Sequence, residues 1–83
     1  MLGRGALYAW SAPMNTATLQ LVKSYGGWQL LDAGNPVFWF PERDKGLEIA
    51  TIMADARSLY HGQPASVEAE NEDGVFEVVA TFG

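Results

Sequence analysis

The sequence predicts an α+β domain: an antiparallel sheet of four to five strands with one helix packed on one face, in the order β-β-(β)-α-β-β. Three observations carry this reading. Residues 44–61 repeat apolar side chains at spacings of three and four, the pattern of one amphipathic helix. Short alternating segments flank that helix on both sides and are separated by Gly-containing turns. The chain has 83 residues, room for one domain and not two.

Met1–Pro13 carries one basic residue, a short apolar patch and several small residues. It is too short and too weakly charged for a secretory signal. We expect a flexible leader over residues 1–14, with Tyr8 and Trp10 able to dock on an apolar surface, and a single domain over residues 15–83. Asn15–Ser24 alternates loosely and is rich in Thr, Leu and Val, which suits a strand. Tyr25-Gly26-Gly27 reads as a turn and Trp28–Asp32 as the returning strand. Ala33-Gly34-Asn35-Pro36 is a second turn cluster. Val37–Phe40 is a short apolar strand that Pro41 should end, because proline lacks the N–H a ladder needs.

In the helix, Ile49, Ile52, Met53, Ala56, Leu59 and Tyr60 share one face of the helical period, and Glu48, Thr51, Asp55 and Ser58 the opposite one. Asp44 is the expected N-cap, and Gly62 followed by Pro64 the expected stop. A closing hairpin follows. Ser66–Glu70 and Val75–Phe82 alternate on either side of Asp73-Gly74, a type I′ turn signal. Such a turn sends Val67, Ala69, Phe76, Val78, Ala80 and Phe82 toward the helix and places Glu70 opposite Glu77, an unfavourable like-charge pair.

Composition excludes more functions than it suggests. There is no cysteine, hence no disulfide framework, thiolate metal site or Cys nucleophile, which fits a cytoplasmic location. Ten acidic against five basic residues give a net charge of −5, so the phosphate backbone of nucleic acid is repelled. No apolar run is long enough to span a membrane.

The acidic run Glu68, Glu70, Glu72, Asp73 fails as a calcium loop. Counted from Glu68, the sixth position is Asp73 where glycine is needed, and the twelfth is Val79 where glutamate is needed. His61 is the only histidine and has no orienting third group beside Ser58 and Tyr60. Arg43, Lys45 and Gly46 at the helix start are interleaved with Glu42, Asp44 and Glu48, so local charge nearly cancels. We therefore expect no catalytic residues, no metal and no cofactor.

The surplus is aromatic. Val37-Phe38-Trp39-Phe40 is apolar on both strand faces, and one helix can cover only one face of the sheet. The remaining apolar surface, Trp28, Val37, Phe38, Trp39 and Phe40, is the candidate interaction surface. The expected function is a non-enzymatic protein-interaction module, self-association included. The alternative is an antitoxin-like or regulatory domain binding a protein or nucleic-acid partner.

Two families share these motifs. From Gly26-Gly27-Trp28 through the helix to Asp73-Gly74 and Phe82-Gly83, the chain resembles small bacterial β-β-α-β-β proteins of unknown function. It departs from them in the extra strand Val37–Phe40 and in its acidic balance. The Gly-Gly-aromatic strand, the Phe40-Pro41 step and the following helix resemble HicB-like antitoxin domains. The Gly-Cys turn of that family is missing here, as is an added DNA-binding segment. Neither resemblance implies catalytic residues.

Overall fold

In the structure, a computed structural model, residues 17–83 are described; the expected leader lies outside the described residues. The elements are β1 (Ala17–Ser24), β2 (Gly27–Asp32), β3 (Asn35–Phe40), α1 (Arg43–His61), β4 (Ala65–Glu70) and β5 (Phe76–Phe82). The strands form one five-stranded sheet in the spatial order β3-β2-β1-β4-β5.

The sheet is mixed, where an antiparallel one was expected: β1 and β4 pair parallel at its centre. Within each half the short turns enforce antiparallel pairing, as anticipated. The parallel pair arises where the halves join. Three strands precede the helix, so β3 runs the same way as β1, and α1 carries the chain back before β4 begins. The β1–β2 and β2–β3 connections are two-residue hairpins with positive φ at both turn residues, Tyr25 (49°) with Gly26 (78°) and Ala33 (52°) with Gly34 (86°). The second turn is tighter than the expected four residues, because Asn35 and Pro36 already belong to β3. Pro36 is tolerated there because β3 is an edge strand.

Leu19, Leu21, Leu30 and Val67 are the largest fully buried side chains, and all belong to the helix-facing side of the three central strands. The helix meets them with Gly46, Ala50 and Ala54, its three buried residues. A Cβ at Gly46 would lie 2.6 Å from Cδ1 of the fully buried Leu21, so any larger residue has to displace that side chain. The expected helix face is thereby corrected. Ile49 and Met53 only flank the core, while Ile52, Leu59 and Tyr60 are exposed (58%, 71% and 81%). The sheet supplies the bulk and the helix the small residues, so the bulkiest stripe is not the buried one. Gly62 ends the helix in the left-handed region, as expected. The N-cap is Glu42 rather than Asp44, with no side-chain capping bond.

Asp32 and Arg57 tie β2 to the helix. Arg57 Nη1 donates to Asp32 Oδ1 at 2.7 Å and Nη2 donates to Oδ2. The hydrogen bond from Arg57, aided by its charge, holds the Asp32 carboxyl below its ordinary range, and the same pairing raises Arg57.

The closing hairpin is also corrected. Asn71 and Val75 close a three-residue loop: Asn71 N donates to Val75 O at 2.9 Å, and Gly74 N to Asn71 O at 3.1 Å. Asn71 Oδ1 accepts from Asp73 N (2.8 Å) and Val75 N (3.1 Å). Gly74 alone among the loop residues has positive φ, so the turn is not type I′. The odd loop shifts the register by one, and Glu70 faces Phe76 instead of Glu77. A register shift between Val67 and Glu68 leaves Val79 as the extra residue on β5, and Ala80 and Phe82 regain the helix side. Between loop and bulge every side chain is inverted: Phe76 and Val78 lie on the uncovered face and Glu77 on the helix side.

Candidate interaction surface

The five residues singled out by sequence are not brought onto one face. Trp28, Phe38 and Phe40 belong to the helix side, Trp39 to the open side, and Val37 is the extra residue where β3 bulges against β2. The helix lies over β1 and β4, so the β3 edge overhangs it. Phe38 is 51% exposed there, and its ring centroid is 6.3 Å from that of Phe40. The Arg43 guanidinium sits 5.6 Å from the centre of the Trp28 ring, a cation–π contact that shields part of the indole.

Trp39 is held flat across the first hairpin. Its Nε1 donates to Ser24 O at 2.9 Å, and its ring covers Gly27, where a Cβ would lie 2.3 Å from Trp39 Cζ2. The second glycine of Gly26-Gly27 thus makes room for an indole. The indole still leaves 46% of its surface exposed. Gln29 Nε2 donates to Phe38 O at 2.9 Å and stiffens the same edge.

Across the sheet, Pro36, Leu31, Gln20, Glu68 and Val78 form one continuous row of cross-strand neighbours. Beside it runs a second row, Trp39, Gln29 and Val22 toward the β3 edge and Glu70 with Phe76 toward the β5 edge. The open face therefore has two apolar wings with a polar strip between them. Within the strip Gln20 Nε2 donates to Glu68 Oε1 at 3.0 Å, and Glu70 Oε1 accepts from Lys23 N at 2.9 Å. The β5 wing was not anticipated, because its exposure depends on the odd loop. The signal was Asn71, whose side chain can bond the backbone two residues on and so favours the longer turn.

The other sequence candidates stay apart. His61 is exposed at the end of α1, remote in the chain from the acidic hairpin. Among the described residues no three His, Cys, Asp or Glu side chains are grouped to hold a metal ion. A recess of about 320 Å³ beside the helix start is lined by Lys23, Trp28, Arg43, Glu70, Asn71, Glu72 and Glu77. Its polar groups bond one another: Lys23 Nζ donates to the Glu72 backbone carbonyl at 3.2 Å, and the Asn71 amide Nδ2 donates to Glu77 Oε2 at 3.1 Å.

No protein-family model, curated protein or solved structure matches the chain. Its function is therefore argued from its own surface. Among the described residues no helix is long and apolar enough to cross a membrane.

Proposed function

We propose that this chain is a non-enzymatic protein-interaction module whose uncovered sheet face takes up the surface of a partner protein. One observation carries the reading. Among the described residues there is a single helix, and the face it does not cover presents Trp39 and Leu31 at one edge and Phe76 and Val78 at the other. Isolated exposed apolar residues are ordinary, but paired wings on one face are the pattern of an interaction site. The Trp39 hydrogen bond and the Gly27 contact hold one wing in place without a ligand, which lowers the ordering cost of binding.

Site-specific photo-crosslinking in the native cell tests this. A photoreactive phenylalanine analogue at Phe76, or at Trp39, should yield a discrete protein adduct. The same analogue at Asp55, on the outer side of the helix, should not. Equal labelling from all three positions, or none from the sheet face, would overturn the reading.

A further inference from the structure

The charge on the open face says what kind of protein fits it. Among the described strand residues, its only ionisable side chains are Glu68 and Glu70, which sit side by side in the polar strip. Among the described residues the cations lie on the helix side, where Lys23 and Arg43 share a recess with Glu70. Lys23 alternates with buried Leu21 to the helix side, and Arg43, Lys45, Arg57 and His61 belong to the helix. Each carboxylate has one hydrogen bond to its neighbours, through Oε1 in both cases. Covering the face removes water from two half-buried carboxylates, neither of which is ion-paired with a cation among the described residues, which is unfavourable unless the partner brings positive charge.

A second copy cannot do this. A two-fold face-to-face dimer presents the same patch to itself. Two sheets packed roughly 10 Å apart would enclose the Glu68 and Glu70 of both copies, with no cation from the open face of the described residues to offset them. Like charges in that arrangement oppose association.

The dimensions suggest the form of the partner. The row from Pro36 to Val78 crosses four interstrand steps of about 4.8 Å, roughly 19 Å in all. An α-helix covers that distance in about 13 residues. Resting on the interaction-module reading, we infer that the occupant of the open face is an amphipathic helix of another protein, apolar at both ends of its contact face and carrying Arg or Lys between them. Its apolar ends fill the Trp39 and Phe76–Val78 wings. Its cation takes the free oxygens of Glu68 and Glu70. The result is a helix on each side of the sheet.

The test uses the full chain, NMR amide spectra and three blocked peptides of about 14 residues. One has leucines at both ends of a helical face and two arginines between them; the second replaces the arginines by glutamate, the third by glutamine. The arginine peptide should shift the Trp39 indole N–H and the amides of β1, β2, β4 and β5, and its affinity should fall with salt. The chain carrying Glu68→Gln and Glu70→Gln should bind it about tenfold more weakly, while the circular-dichroism spectrum stays unchanged.

If all three peptides bind the face equally, the charge inference is overturned while the module reading stands. If the free chain sediments as a dimer with Trp39 protected from a soluble paramagnetic probe, a second copy is the occupant. Protection in a concentration-independent monomer would assign the face to residues 1–16. Either result overturns the inference.

Discussion

At the scale of single residues, the chain places side chains where their backbone is strained. Tyr25 stands at the first position of a turn that demands positive φ, and it is 96% exposed, so packing does not compensate it. Asparagine adopts that conformation more easily. Tyr25→Asn should raise stability by about 1 kcal/mol in urea denaturation. Ala33→Asn should do the same at the second turn. Retention of tyrosine where asparagine folds better is a reason to look for a contact at this tip.

The Asp32–Arg57 pair makes a second prediction at this scale. Folding lowers the Asp32 pKa, so the pair's contribution is complete above the ordinary carboxylate range. It is lost as pH falls through the lowered value. Asp32→Asn should therefore cost about 1 kcal/mol near neutral pH and progressively less in acid, read from urea midpoints across that range.

At the scale of elements, the helix is decided by what it leaves out. Gly46→Ala gains roughly 1 kcal/mol of helix propensity. It also drives a methyl into Leu21, and overpacking costs about 1–3 kcal/mol, so the net effect should be destabilising in thermal melts. Ile52→Lys and Leu59→Lys, on the exposed side, should change stability by less than about 0.5 kcal/mol. Opposite outcomes would restore the stripe that bulk alone suggests. This is where legibility stopped. The strand order along the chain, the helix span and its Gly62 stop follow from Gly, Pro and apolar spacing, which are local signals. Which helical face is buried depends on Leu19, Leu21, Leu30 and Val67, residues distant in sequence. The parallel β1–β4 pair is likewise a fact of assembly that no short window contains. Of the candidate surface, Trp39 was legible as an aromatic in a strand apolar on both sides. Phe76 and Val78 were not, because counting two loop residues where there are three reverses their direction.

At the scale of the whole molecule, one helix on five strands leaves stability and recognition on different faces. The core residues all lie between helix and sheet. The open face can therefore be altered without unfolding the domain. Phe76→Thr with Val78→Thr should keep the urea midpoint within what about 0.5 kcal/mol per site produces, yet abolish the crosslink from position 39. Loss of folding in that double variant would show that the β5 wing belongs to the core.

The three-residue loop and the bulge at Val79 act together like a pair of opposed switches. Sliding residues 75–79 by one position, with a two-residue Asp73-Gly74 turn and no bulge, uses the same amino acids and breaks no covalent bond. It would turn Phe76 and Val78 inward and bring Glu77 face to face with Glu70. Electrostatic repulsion between those two glutamates thus favours the register in which the binding residues point outward. Lys at position 77 would remove that bias and create an attraction in its place. A single charge reversal could in this way conceal half of the recognition surface while leaving the remainder of the fold as it stands.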